Sequence, residues 1–136
     1  MKKHKLSKNV IYTGPVPHIQ VFKYILQSWI GLCILEDNPK YRVEIPIKIF
    51  EYIACGIPVI GSTSINAFNK FITKNNAGIS VETKSIPKIV NAVLTILDDY
   101  KKYSHNALRI GKKCIWEEGE FIKLYKEVIA KCYQKK

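Results

Sequence analysis

The run Arg42-Val43-Glu44-Ile45-Pro46-Ile47-Lys48-Ile49-Phe50-Glu51-Tyr52-Ile53-Ala54-Cys55-Gly56-Ile57-Pro58-Val59-Ile60-Gly61-Ser62 decides how this chain folds. It reads as a loop, a helix, a tight turn and a buried strand. Pro46 suits a first helical position, where its missing N–H leaves nothing unsatisfied. Ile47, Ile49, Phe50, Tyr52, Ile53 and Ala54 leave little polar surface, so the helix is expected to be covered on most sides. Gly56 suits the left-handed residue that ends a helix, and Pro58 prevents its continuation. Val59 and Ile60 suit a strand buried on both faces.

Lys48 and Glu51 do not fit a purely structural helix. Three residues apart, they share a helical face. A carboxylate on an otherwise apolar helix needs a partner, because burying it alone is costly. A Lys48–Glu51 ion pair would supply one, and a bound ligand would supply another; the residue types leave both open.

Upstream, residues 10–13 form a short β-type run ended by Gly14-Pro15-Val16-Pro17. Residues 18–29 follow as a helix with Phe22, Ile25, Leu26 and Trp29 on one face. His18, near its start, is expected in solvent or at the cap, or else facing a cleft. Residues 30–35 form a second strand, and residues 36–41 a loop. Loops at the C-terminal ends of parallel strands are where open α/β sheets bind ligands. Arg42 lies in such a position and could meet a phosphate or solvent.

Downstream, Gly61-Ser62-Thr63-Ser64 is a small polar loop at another strand end. It suits hydrogen bonds to sugar or phosphate, or an N-cap for a helix over residues 65–74. Residues 75–78 stop that helix and residues 79–81 form the next strand. Ser85 is expected to cap a helix whose face is Ile86, Ile89, Val90, Val93, Leu94 and Leu97. Residues 100–110 form another helix with Gly111 as its cap. Trp116 opens a last helix, with Phe121, Leu124, Tyr125, Val128, Ile129 and Cys132 on one face. Such a basic amphipathic helix packs against a sheet or partner, or lies on a membrane. Strands alternating with helices four times, then helices only, predict an α/β fold: a Rossmann-like parallel sheet of about four strands flanked by helices, helical at its C-terminal end.

A chain of 136 residues is one domain and can bury about 68% of its unfolded surface. The domain is expected over residues 9–133, behind a basic, disordered N-terminus of residues 1–8. The net charge of +11 suits nucleotide diphosphates, anionic lipid headgroups or nucleic acid, or else a solvated lysine-rich surface. Arginine is scarce and no nucleic-acid-binding motif is visible, so no specific nucleic acid is expected. Cys33, Cys55, Cys114 and Cys132 form no C-x-x-C pair and read as small hydrophobes in a reducing compartment. The basic start has no long apolar segment behind it, so it does not read as a signal peptide. The apolar window over residues 24–35 is too short to span a bilayer.

The segment Pro46-x-Lys48-x-Phe50-Glu51-Tyr52-Ile53-Ala54-x-Gly56-Ile57-Pro58-Val59-Ile60 resembles the donor-binding segment of GT-B glycosyltransferases of the glycosyltransferase 4, or group 1, type. That family's segment is often written E-x7-E followed by Ala-x-Gly-x-Pro-Val. Glu51 falls on the second glutamate, which in the family accepts the ribose hydroxyls of the nucleotide sugar. Val43 stands where the first glutamate would fall, and Glu44 is one residue out of register. The Pro46-x-Lys48 variant occurs in branches of the family without the first glutamate. Gly14-x-Val16 after a strand and Asn76-Ala77-Gly78-Ile79 also match.

The resemblance covers residues 10–133 and implies a partial GT-B C-terminal domain. The acceptor-binding domain and the first two β-α units of the donor domain have no counterpart here. In the family's strand order those units hold the middle of the sheet, so the sheet is expected to close differently, to expose an edge or to draw on a partner chain. The resemblance implies retaining hexosyl transfer from a nucleotide-diphosphate sugar, with the isolated chain inactive or incomplete, in polysaccharide biosynthesis. The alternative is a non-catalytic nucleotide-sugar-binding or interaction module that needs a partner chain. Donor contacts are expected from Glu51, Lys48, Pro46, Ile47, Arg42, Glu44, Gly14 and Ser62, while no catalytic residue is assigned. The resemblance implies a mechanism without metal or cofactor, and Asp98-Asp99 is not the spaced D-x-D pair of a metal-dependent GT-A enzyme. The implied place of action is the cytoplasm, with contact to an anionic membrane surface as a peripheral option.

Overall fold

A computed structural model describes residues 8–39 and 45–114. Its elements run α1 (His18–Leu26), β1 (Gly31–Cys33), α2 (Ile47–Ala54), β2 (Val59–Ser62), α3 (Asn66–Phe68), β3 (Gly78–Val81), α4 (Ile86–Asp98) and α5 (Tyr100–Lys113). A π-helical turn, Asn69–Thr73, continues α3. The strands form one parallel sheet in the order β1-β2-β3, with Gly31 opposite Val59 and Val59 opposite Gly78. The fold is therefore α/β and Rossmann-like, as expected.

Alternation along β2 divides the core. Val59 joins Cys33, Ile49, Ile53, Phe68, Ile72 and Ile110 on the face covered by α2, α3 and α5. Ile60 points the other way and joins Val81, Ala92 and Ile96 under α4. Both β2 residues are fully buried, so the central strand is covered on both faces.

The turn from α2 into β2 follows its sequence closely. Gly56 sits at φ +71°. Its N–H donates to the Ile53 carbonyl at 3.0 Å, and the Ile57 N–H to the Tyr52 carbonyl at 2.9 Å. That pair of bonds is a Schellman close, and it satisfies two carbonyls the helix end would otherwise leave bare.

Several expectations need correction. The sheet has three strands among the described residues, because residues 10–13 join no ladder there. Ile11 and Tyr12 there are largely exposed, so neither hydrogen bonds nor burial fix a strand. α1 ends at Leu26, and Leu26 and Trp29 face outward. β1 keeps only the middle of residues 30–35. Pro46 is the N-cap of α2, not its first helical residue. α2 buries Ile49 and Ile53 and packs Phe50 and Tyr52 partly against the core, while Ile47 and Ala54 are exposed. Ser85 precedes α4 but makes no side-chain cap bond. α4 buries Ala92 and Ile96 and leaves Ile86, Val90, Leu94 and Leu97 exposed. Gly111 lies inside α5, where a Cβ would stand 2.4 Å from the Ile53 carbonyl oxygen. The expected helix from Trp116, Cys132 and residues 1–7 lie outside the described residues.

Candidate functional site

In a parallel sheet the C-terminal ends of all strands share one edge, and the loops that leave them meet there. Ser62, the last residue of β2, ties two of those loops together. Its Oγ donates to the Leu35 carbonyl at 2.8 Å and accepts from the Leu35 N–H at 2.6 Å. Ser62 is fully buried. The contact with sugar or phosphate expected of it is therefore not open in this geometry, since its hydroxyl holds the exit of β1 instead.

Glu51 lies in the second turn of α2, with its side chain 17% exposed. His18 opens α1, and its Nε2–H donates to Glu51 Oε1 at 2.6 Å. The imidazole is 71% exposed and stands edge-on to Phe22, ring centres 5.2 Å apart. Among the described residues, His18 is the ion-pair partner of Glu51. Among the described residues no ion pair joins Lys48 to Glu51, so His18 is the partner that the helix sequence demanded.

Neighbouring groups register these charges. Burial pushes the Tyr52 hydroxyl up, and the charges of Cys33 and Glu51 add to the shift. Burial raises the Cys55 thiol, with Glu51 adding. Burial raises the Cys33 thiol too, and there the Lys48 ammonium opposes it. Lys48 thus acts toward β1, whereas Glu51 faces α1.

Of the other expected donor contacts, Pro46 is half-buried at the α2 N-cap and Ile47 is exposed beside it. Gly14 has φ +66°, and a Cβ there would meet nothing within 4 Å, so it works as a turn residue in open space. Arg42, Val43 and Glu44 lie outside the described residues.

A cavity of about 650 Å³ opens where the three strand exits converge. Asp37 comes from the loop after β1; Thr63, Ser64 and Asn66 follow β2; Glu82, Thr83 and Lys84 follow β3. Asn69 holds the middle loop in shape: its Nδ2 donates to the Thr63 carbonyl at 2.9 Å, while Ser80 Oγ donates to its Oδ1. Ser64 Oγ is buried and has no protein partner among the described residues. Sequence reasoning reached Thr63 and Ser64 but missed the other five. Their only signal is topological, because each follows a strand end. No His, Cys, Asp and Glu group among the described residues could hold a metal ion, and no described helix is long and apolar enough to cross a membrane.

Comparison with known proteins adds two findings. The family model described as "Glycosyl transferases group 1" matches residues 1–113. A Bacillus subtilis (strain 168) protein named "Putative teichuronic acid biosynthesis glycosyltransferase TuaH" is 37% identical over 54 residues. That alignment covers 40% of this chain and 14% of the relative, so the chain matches about one seventh of that protein's length.

Proposed function

The chain belongs to the group 1 glycosyl transferases, and from that membership we propose that it binds the nucleotide-diphosphate sugar donor of a retaining hexosyl transfer. The observation that carries the reading is the Glu51 carboxylate. It stands mostly buried on α2, and His18 holds one of its oxygens at 2.6 Å. An ionised carboxylate accepts hydrogen bonds only, and vicinal ribose hydroxyls donate two. Burial of most of the side chain strengthens those bonds relative to water. His18 holds Oε1, and the reading gives the ribose hydroxyls to the rest of the carboxylate.

The diphosphate belongs beside the N-terminus of α2, an eight-residue helix that the Pro46 side chain does not cap. The helix dipole favours anions there, and Lys48 one turn in adds a positive charge. A chain at +11 also draws an anionic donor from solution. A role in polysaccharide biosynthesis is suggested by the name of the Bacillus subtilis relative. The reading places the reaction in the cytoplasm, with the basic chain near an anionic membrane surface.

Glu51→Gln tests the reading. It keeps the shape and removes the charge, so affinity for uridine or guanosine diphosphate, measured by calorimetry, is expected to fall about ten- to a hundredfold. Unchanged affinity for whichever nucleotide binds removes Glu51 from the site. Binding of neither by the parent chain removes the reading.

One observation favours a second reading. The outer edge of β1 pairs with no strand among the described residues. A donor-binding module completed by a partner chain, and inactive without it, accounts for that edge. Turnover of a nucleotide sugar by the purified chain alone excludes this alternative.

A further inference from the structure

We propose that the outward face of α5 is a docking surface for a bilayer that carries anionic phospholipid headgroups. The inference goes beyond the donor reading, because it names a surface and a partner that donor binding does not use. α5 contains no acidic residue. At about 100° per residue, Lys101, Lys102, His105, Arg109, Lys112 and Lys113 fall within one arc of about 120°. The middle of that arc lies opposite Ala107, which is fully buried in the core under the sheet. All six residues of the arc are exposed, and all but His105 carry a permanent positive charge. Lys102 pairs with Asp99 at 3.1 Å. Among the described residues the other lysines and the arginine of the arc join no ion pair.

Such a stripe works against its own helix. Lys101, Arg109 and Lys113 lie on one i, i+4 row through His105, and like charges along such a row repel. Lys101 and Lys102 also sit in the first turn, where the helix dipole disfavours cations. A facing layer of negative charge offsets both costs. The stripe also sets the form of that layer. The 14 residues of α5 extend about 21 Å, and no stripe residue lines the cavities of about 650, 460 or 270 Å³. The partner is therefore an extended surface and not a small ion held in a pocket. Lysines dominate the stripe, and a lysine is a hydrated point charge on a flexible stem, which suits a fluid headgroup layer. Base edges are read by the guanidinium fork, which the stripe holds once, at Arg109. Leu108, 40% exposed, flanks the stripe, where an apolar side chain can enter the boundary between headgroups and acyl chains. The opposite face of α5 meets α2, with Gly111 against the Ile53 backbone. A chain docked by the stripe thus keeps α2 on the side of α5 away from the lipid.

The test is co-sedimentation of the full chain with vesicles of phosphatidylcholine alone and of phosphatidylcholine mixed with phosphatidylglycerol. The chain is expected to bind the mixed vesicles and not the neutral ones, and to be released as salt rises. Lys101→Gln, Arg109→Gln and Lys112→Gln together should weaken that binding about a hundredfold, at about fivefold per charge. Lys8→Gln, Lys23→Gln and Lys70→Gln remove the same charge from exposed positions off the stripe. That control should weaken binding less than tenfold, about what the lower overall charge accounts for. Lys101→Arg with Lys112→Arg keeps the charge and should keep the binding. The stripe triple relieves repulsion at exposed positions, so its melting temperature should equal or exceed the parent's, and lost sedimentation then reports docking and not unfolding.

The proposal is overturned if the chain binds neither vesicle or binds both alike, or if the control triple loses as much as the stripe triple. It is also overturned if random-sequence duplex DNA, at a phosphate concentration equal to that of the anionic lipid, strips the chain from the vesicles, since nucleic acid would then be the better partner. Nucleotide affinity of the stripe triple should stay near the parent value. A failed Glu51→Gln test with intact vesicle binding removes the nucleotide role of Glu51 and leaves this surface standing, and lost vesicle binding with intact nucleotide affinity does the reverse.

Discussion

His18 and Glu51 are 33 residues apart and meet at 2.6 Å with one partner in solvent and the other mostly covered. An exposed pair of this kind is worth about 1 kcal/mol at most to folding. Its value lies in fixing where the carboxylate points. His18→Ala should therefore leave the melting temperature nearly unchanged and weaken nucleotide binding less than Glu51→Gln does. Combined, the two changes should cost less than their sum, because each removes part of one arrangement. Calorimetry on the four proteins reads that coupling, and strict additivity would assign His18 no positioning role. Cys33 offers a separate test. Burial raises its thiol above the ordinary 9.0, so the folded chain keeps the proton longer than the unfolded chain does. Its contribution is fully present below pH 9.0 and is lost as pH rises beyond that value. Tyr52, also raised, acts in the same sense further up. Urea midpoints should thus fall on the alkaline side, and Cys33→Ala should flatten the first part of the fall.

The joint between α2 and α5 rests on two glycines for different reasons, and magnitudes separate them. At Gly56 a Cβ would find ordinary contact, 3.5 Å from Leu108, so the cost of Gly56→Ala is the left-handed backbone alone, about 1 kcal/mol. At Gly111 a Cβ would press on the Ile53 backbone at 2.4 Å, and backbone cannot swing aside. Gly111→Ala must push α5 off α2 and should cost more, about 1–3 kcal/mol. Chemical denaturation of both variants checks that order. Gly56 was legible in the sequence because a turn glycine followed by Pro58 has local meaning; the packing role of Gly111 was not, because it depends on a helix more than fifty residues away. The same line divides the rest. α2, its close and the doubly buried β2 were legible from Gly56, Pro58, Val59 and Ile60, which carry the turn and the alternation themselves. Residues 10–13 have strand chemistry but no partner strand among the described residues, and propensity without a ladder makes no strand. α4 was legible as a helix, but its wide apolar stripe did not say which part is covered. A three-stranded sheet is narrow, so Ala92 and Ile96 are covered and Leu94 and Leu97 are not. In the site, Glu51 was legible from its neighbours on α2. His18 and the cavity walls at Asp37, Glu82 and Lys84 are brought in by topology, which no local pattern announces.

Over the whole molecule, charge and surface oppose each other. Among the described residues β1 is an edge strand of three residues, and Leu32 on it is half exposed. Beside it Trp29, Ile30, Val93 and Leu97 line an apolar hollow of about 460 Å³. Trp29 stands edge-on to Tyr100, ring centres 4.8 Å apart, which holds one wall of that hollow rigid. An open edge next to an apolar surface is a template for association. A net charge of +11 on each copy resists it, through a repulsion that salt screens over about 8–10 Å at moderate ionic strength. Salt therefore decides between the two. Sedimentation equilibrium should show a weight-average mass that rises with protein concentration at high salt and stays flat at low salt. Leu32→Lys puts a charge on the edge and into the mouth of the hollow, and should hold the chain monomeric at both. Because Leu32 is half exposed, that change should move the urea midpoint only slightly, so lost association is not mistaken for lost folding. Association that strengthened at low salt would mean that ion pairs and not apolar surface join the copies, and a monomer under every condition would mean that the β1 edge is already covered in solution.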